Sequence, residues 1–382
     1  MDLTLSAEYE AFRRDIAALL EANRDKAPTQ DDVGMKNPKR LAWQKWLIEN
    51  GLAARTIPKE YGGYGAEADL LKSRIISEEF ARTGIPRGLT NQGVSMLVPT
   101  LLELGTDAQK DAYIRPTLMG DMIWCQGYSE PGSGSDLASL STKAHIDGDD
   151  YVINGQKIWT STARQADMIF CLVRTEPDAK KHEGISYLLF SMDTPGIEVR
   201  PLVDMTMSAN FNEVFFNDVR VPASNLLGGE EGKGFIQLMQ KLPQERHIIG
   251  LQGVGMIERA LHETINYVKD RKAFGQTIMD FQNTQFKLAE LDTELTAATV
   301  FLDRYLELHI EGRFDAIAAA KAKLLTTELQ GKVMDECLQL HGGYGYMWEY
   351  PVARAWADAR VQRIYAGTNE VMKLIIGREL LK

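Results

Sequence analysis

The chain has three cysteines in 382 residues, and Cys125, Cys171 and Cys337 are far apart and not in metal-binding spacing. That pattern excludes a disulfide scaffold and a cysteine zinc module, and predicts reduced thiols in a reducing compartment. Histidine is scarce too, and His262-Glu263 lacks the second histidine that a helical zinc-hydrolase motif needs. No apolar run approaches the roughly 18 residues of a membrane span. Positive charge is in deficit: 43 Lys and Arg against 53 Asp and Glu leave a formal net charge of −10. A nucleic-acid backbone is therefore excluded as the main partner. The opening Met1–Glu10 carries acids without a basic-then-apolar pattern, so no targeting segment is expected, consistent with a cytoplasmic protein or a mature matrix form.

Familiar cofactor signatures are also missing. No G-x-G-x-x-G follows a strand and opens a helix. Gly228–Gly234, "GGEEGKG", is one residue short of a P-loop and lacks its hydroxyl residue, which leaves it as a flexible domain linker. A nicotinamide Rossmann fold is disfavoured by that absence and by the lack of a βαβ rhythm.

What is present is length and ordinary globular composition, 44% hydrophobic and 25% charged. A chain of this size predicts two or three domains. Residues 1–120 read as helices, with Asn37-Pro38 a cap followed by an N1 proline and Gly51 closing that helix. Residues 121–230 turn to short β-rich runs punctuated by Asp147-Gly148 and Asn154-Gly155, both read as hairpin signals. Helical period returns over 231–382, with long amphipathic stretches at Gln282–Ile310 and Asp315–Leu340 and Gly342-Gly343 as a stop. The expected fold class is α+β and multidomain: a helical domain, a β-barrel or sandwich, and a C-terminal four-helix bundle.

Four stretches carry the chemistry. "YSEPGSGSD", Tyr128–Asp136, is dense in glycine and serine, which lets backbone amides and hydroxyls approach a ligand closely. "NGQKIWTS", Asn154–Ser161, sets the plane of Trp159 beside hydroxyls. "QLHGGYGYMWEYPVARAWAD", Gln339–Asp358, is a glycine and aromatic turn between helices. "IYAGTNE", Ile364–Glu370, is shaped to hold a ligand, yet its centre is the inert Ala366. Taken singly, each is as readily explained by loop or core packing.

Collinear and at these separations, the four resemble the acyl-CoA dehydrogenase family over essentially the whole chain, and "YVKDRKAFGQ", Tyr267–Gln276, adds a fifth match. The resemblance implies a flavoprotein with FAD and an acyl-CoA substrate oxidised to the trans-2-enoyl-CoA in fatty-acid β-oxidation. Electrons would pass to an electron-transferring flavoprotein, and the protein would form a homotetramer. Gln126, Tyr128 and Ser129 match flavin-lining positions, with Tyr128 where a smaller aliphatic residue is commoner. Gly134 and Ser135 follow in the same loop, and Ser135 also matches a CoA contact. Ser161 matches the hydroxyl near flavin N5, and Trp159 the aromatic on the flavin's far face. Arg271, Phe274, Gln339, Gly342 and Gly343 match residues reaching the FAD of a neighbouring subunit. Thr368 and Glu370 match positions on the diphosphate and adenosine end of FAD. Leu242, Tyr365 and Gly367 match substrate-side positions, and Arg246 and Arg378 positions contacting the CoA portion.

The family's chemistry requires a base beside the substrate α-carbon. Many members place a glutamate where this chain has Ala366, which cannot accept a proton. The long-chain branch instead carries its glutamate on the preceding helix, and "KLPQERHIIG", Lys241–Gly250, resembles that branch. The resemblance therefore assigns the base to Glu245, and leaves Ala366 its backbone N–H to polarise the thioester carbonyl. A flavin oxidase or monooxygenase on the same fold is the alternative, and a non-catalytic flavoprotein scaffold a more distant one.

Overall fold

Caps and breakers set the helix limits in the computed structural model, which describes residues 6–382; Met1–Leu5, the head of the stretch read for a targeting signal, lies outside them. The described chain divides into two compact units. One holds residues through Asp204 together with Ala209–Leu238, the other Met205–Ser208 with Met239–Lys382.

The first unit opens with helices α1 (Ala7–Ala22), α2 (Pro38–Glu49), α3 (Leu70–Thr83), α4 (Val98–Leu104) and α5 (Asp107–Met119). Asn37 caps α2 by accepting from the Lys39 N–H, with Pro38 at N1 where its missing donor does no harm. Thr106 and Gln109 form a reciprocal capping box at α5. Leu20, Trp43, Leu47, Phe80 and Ile85 form the core under these helices.

Seven strands follow: β1 (Trp124–Gly127), β2 (Lys143–Asp147), β3 (Asp150–Lys157), β4 (Met168–Arg174), β5 (Ile185–Ser191), β6 (Ile197–Leu202) and β7 (Phe211–Pro222). They form one sheet in the order β1-β4-β2-β3-β7-β6, with β5 paired to β4. Continuous burial along β4 and β5 matches their unbroken apolar runs, whereas β7 alternates.

Two sequence readings need correction here. The Asp147-Gly148 signal does make the β2–β3 turn, but Asn154-Gly155 is not a hairpin. It lies inside β3, where the register against β7 shifts at a bulge between Ile153 and Gly155. Gly155 sits at φ +152°, and a Cβ there would come 2.6 Å from Thr142 Oγ1, so glycine marks a close approach rather than a turn. The Gly228–Gly234 segment is not a free linker either. Gly228 N–H donates to Gln109 Oε1 at 3.0 Å, Gly232 N–H to Ser186 Oγ at 2.8 Å, and Lys233 bridges Ile185.

Helix α6 (Gly234–Asp270) starts in the first unit and continues through the second, uninterrupted by Pro243. The second unit adds the short hairpin β8 (Lys272–Ala273) and β9 (Gln276–Thr277), then α7 (Gln282–Ile310), α8 (Ala316–Leu340), α9 (Pro351–Arg360) and α10 (Asn369–Leu380). Its core is the stripe Ile257, Leu261, Leu291, Leu295, Val333 and Met334, drawn from three long helices at helical spacing. Among the described residues, no helix is long and apolar enough to cross a membrane.

Candidate active site

In the first unit, the glycine-serine loop is stitched to the end of β3. Lys157, fully buried, donates its Nζ to Glu130 Oε1 at 2.8 Å and to the Tyr128 carbonyl at 3.1 Å. Glu130 also accepts from the N–H groups of Ser141 and Thr142. Burial alone would raise its carboxyl, but the Lys157 charge and these hydrogen bonds hold it down at about 2. Ile158 N–H donates to the Ser129 carbonyl at 2.9 Å. These bonds bring Tyr128 and Ser129 beside the strand end that leads into Trp159 and Ser161.

The loop tip is a tight turn: Glu130 and Ser133 exchange both backbone bonds at 2.9 Å, leaving Gly134 and Ser135 exposed. Tyr128 points into the sheet, where its hydroxyl meets that of Tyr187 at 2.6 Å. Gln126, on β1 opposite Phe170, lies against Met96 Sδ.

Trp159 is 58% exposed although it is the largest apolar side chain of its stretch. Its backbone stands at φ +59°, a left-handed conformation unusual for a bulky residue. The next residue, Thr160, exchanges hydrogen bonds with Asn212, yet Thr160 Oγ1 and Asn212 Oδ1 are buried without a partner. A strained, exposed aromatic beside unpaired polar atoms is what a planar ligand would cover.

The second unit holds the catalytic candidates. Glu245 on α6 is partly buried, and desolvation pushes its carboxyl up to about 7 against the lowering pull of Arg246. Arg246 is buried, and its Nε donates to the Ala366 carbonyl at 3.3 Å. The helix carrying Glu245 is thereby tied to the turn 120 residues later. That turn has two successive left-handed residues, Ala366 at φ +52° and Gly367 at φ +91°. Gly367 is favoured there by its φ of +91°, while a Cβ would lie 2.8 Å from the flexible end of Met372, which would have to shift. Among the described residues, the N–H groups of Ala366 and Gly367 reach no protein acceptor. Tyr365 is 40% exposed, and Leu242 is half-buried. Thr368 caps α10 by accepting from Val371 N–H, with Glu370 in the first turn. Arg378 is exposed near the end of that helix.

One cavity of about 560 Å³ in this unit is lined by Arg271, Gly342 and Gly343, with Tyr267, His341 and Tyr344. The guanidinium of Arg271 sits over the Tyr344 ring at 5.3 Å, and His341 stacks on Tyr267. Nothing lies within 4 Å of where a Cβ on Gly342 or Gly343 would be, so the backbone there is open to a ligand. Phe274 and Gly275 turn the β8–β9 hairpin, both with positive φ, and Phe274 is left 97% exposed. Gln339 is exposed at the end of α8.

Family models for the N-terminal, middle and C-terminal domains of acyl-CoA dehydrogenases match residues 6–121, 125–219 and 232–381. The chain belongs to the acyl-CoA dehydrogenase family. It is 39% identical over 384 residues to the mitochondrial long-chain specific acyl-CoA dehydrogenase of Mus musculus, covering 98% of this chain and 87% of that one. It is 34% identical to a probable acyl-CoA dehydrogenase of Bacillus subtilis, covering all of both chains. The crystal structure of an acyl-CoA dehydrogenase from Geobacillus kaustophilus superposes with a TM-score of 0.84 at 37% identity, over the full length of both.

Acyl-CoA dehydrogenases are FAD-dependent oxidoreductases acting on acyl-CoA, typically homotetrameric. The residues of this chain fit a flavin: an exposed Trp159 with unpaired neighbours, an open glycine pair, and an arginine beside a cavity.

Three residues of these surroundings escaped sequence reading: Glu130, Lys157 and Lys323, whose buried Nζ donates to the Gly367 carbonyl at 2.9 Å. A lysine and a glutamate 27 residues apart announce no pairing. Lys323 does carry a weak signal, because it sits within "AIAAAKAKLLTT", a helix whose small residues predict a close-packed face.

Proposed function

We propose that this protein α,β-dehydrogenates a medium- or long-chain, or a branched, acyl-CoA to the trans-2-enoyl-CoA, with Glu245 as the base. The observation that carries the reading is one constellation: a desolvated carboxyl raised to about 7, next to an arginine that grips a turn where, among the described residues, the Ala366 and Gly367 N–H groups reach no protein acceptor. A base titrating near working pH is suited to removing the weakly acidic proton beside a thioester. The Cα–H bond breaks and its proton goes to a Glu245 carboxylate oxygen. The charge gathering on the thioester oxygen is met by the Ala366 N–H. The Cβ–H leaves with its electron pair and the carbon–carbon double bond forms. Bound FAD supplies the acceptor for that hydride.

The other residues divide between cofactor and substrate. Gln126, Tyr128, Ser129, Gly134, Trp159 and Ser161 hold the flavin ring end, and Thr368 and Glu370 the diphosphate end. Arg271, Phe274, Gln339, Gly342 and Gly343 reach the FAD of a neighbouring subunit in a homotetramer. Leu242, Tyr365 and Gly367 line the acyl end. Ser135 and Arg378 are exposed to the CoA portion, while Arg246, buried on the Ala366 carbonyl, serves the reacting end. An electron-transferring flavoprotein takes the electrons onward.

Anaerobic mixing with acyl-CoAs from short to long and branched tests the reading. Bleaching of the flavin by at least one straight or branched chain is expected, with colour restored by an electron-transferring flavoprotein. A flavin bleached by no acyl-CoA but reoxidised by oxygen after reaction with another substrate would refute it in favour of an oxidase.

A further inference from the structure

Lys323 stands in the middle of α8 with none of its surface exposed. A buried ammonium is expensive unless its donors are satisfied. Its Nζ donates to two neutral acceptors, the Gly367 carbonyl at 2.9 Å and Asn369 Oδ1 at 2.7 Å. Asn369 is locked in turn, exchanging hydrogen bonds with Thr327 Oγ1 and donating to Glu328 Oε1 at 2.7 Å. Glu328 pairs with Arg363 at 2.7 Å, and the Arg363 guanidinium packs where a Cβ on Gly331 would stand.

Two consecutive carbonyls of one turn are thus gripped by cations on two different helices. Arg246 of α6 takes the Ala366 oxygen, and Lys323 of α8 takes the Gly367 oxygen. The turn needs such a grip because Ala366 has a Cβ in a left-handed conformation that alanine does not favour. The Arg246 bond fixes the Ala366–Gly367 peptide and the Lys323 bond the Gly367–Thr368 peptide, the two planes that follow the Ala366 N–H, and among the described residues the Ala366 and Gly367 N–H groups reach no protein acceptor.

We propose that Lys323 is a positioning residue for catalysis: by holding the Gly367 carbonyl it fixes the turn that aims the Ala366 N–H at the thioester oxygen. This inference rests on the dehydrogenase reading above. Burial, followed by the charge of Arg246, pulls the Lys323 ammonium down to about 8, consistent with two cations sharing one small turn.

The test compares Lys323→Met, which removes both donor bonds, with Thr327→Val, which disturbs the same buried cluster but leaves the Lys323–Gly367 bond. The probe is trans-2-octenoyl-CoA with an isotopically labelled thioester carbonyl, read by vibrational difference spectroscopy on the FAD-loaded protein. In wild type the carbonyl stretch is expected well below its value in water. In Lys323→Met it returns at least half-way, and flavin reduction by saturating octanoyl-CoA slows about 10- to 100-fold with KM changed less than about threefold. Hydrogen exchange of the segment 362–372 quickens at least about tenfold, a readout independent of turnover. Thr327→Val shares any loss of melting temperature but keeps the carbonyl band and the rate.

Wild-type band and rate in Lys323→Met overturn the inference, as does an equal loss of both in Thr327→Val. Should Lys323→Met not fold, Lys323→Leu, which likewise has no donor, carries the comparison, and wild-type values there overturn it equally. A wild type that neither shifts the probe band nor is bleached by any acyl-CoA refutes the dehydrogenase reading itself, an outcome distinct from the others.

Discussion

Glu245→Gln removes a proton acceptor while keeping the size and polarity of the side chain, and its effects on rate and on stability have opposite signs. A positioned general base is worth roughly 10²–10⁴ in rate, so flavin reduction at saturating acyl-CoA should fall by at least about 10² while FAD and substrate still bind. The wild-type carboxyl titrates at about 7, raised by burial against the opposing charge of Arg246. The base works as its carboxylate, so the reduction rate should climb about tenfold per pH unit below 7 and level off above it. Stability follows the other direction. A carboxyl whose folded value is above its ordinary 4.5 binds more protons in the native protein across that window. Its stabilising share is full below about 4.5 and is lost as pH rises through about 7. Moving a carboxyl from 4.5 to about 7 corresponds to at most about 3 kcal/mol, less because water reaches part of Glu245. The neutral glutamine escapes that penalty, so Glu245→Gln should melt higher than wild type at pH 8, with the gap closing toward pH 5. Stopped-flow bleaching and melting curves across pH measure both. A variant that bleaches within about threefold of wild type, or melts lower at pH 8, would refute the reasoning.

Other consequences follow from the geometry. Glu130→Gln or Lys157→Met alone leaves an unpaired buried group and should cost about 3–5 kcal/mol, while the double substitution recovers much of it; thermal melts of the four proteins give the coupling. Because Glu130 is held down at about 2, its contribution is present above about 4.5 and fades as pH falls toward 2, so the single-variant penalty should shrink in acid. Gly367→Ala places a Cβ 2.8 Å from Met372 Cε at φ +91°, and should cost about 1–2 kcal/mol in melting experiments and slow flavin reduction at least about tenfold.

The sequence disclosed those features whose cause is local. The α2 cap follows from Asn37-Pro38, and the limits of α7 and α8 from apolar spacing. Glu245 and Ala366 were legible only as a pair, since the inert centre of one motif makes an acid in another informative. Long-range causes stayed hidden. Asn154-Gly155 has the composition of a hairpin turn, but it lies at a bulge inside β3, where Gly155 packs against Thr142, just before the neighbouring strand β2. Gly228–Gly234 has the composition of a linker, yet side chains of Gln109 and Ser186, remote in sequence, hold it. The small residues around Lys323 mark a close-packed face, but only the packed helices show that its ammonium ends on the Gly367 carbonyl.

The transfer of the base from turn to helix also has a physical logic in this molecule. A turn that polarises a carbonyl through its backbone must be held rigidly, and here Arg246 and Lys323 fix the two peptides that follow the Ala366 N–H without the side chain at 366. A carboxylate at 366 would add a negative charge beside the very oxygen atoms that the two cations bind. With Glu245 as the proposed base, the tasks would be separated: the helix would supply a desolvated carboxyl, and the turn amides braced from behind by positive charge. On that proposed reading, an inert side chain at 366 is compatible with a turn that acts through its backbone alone.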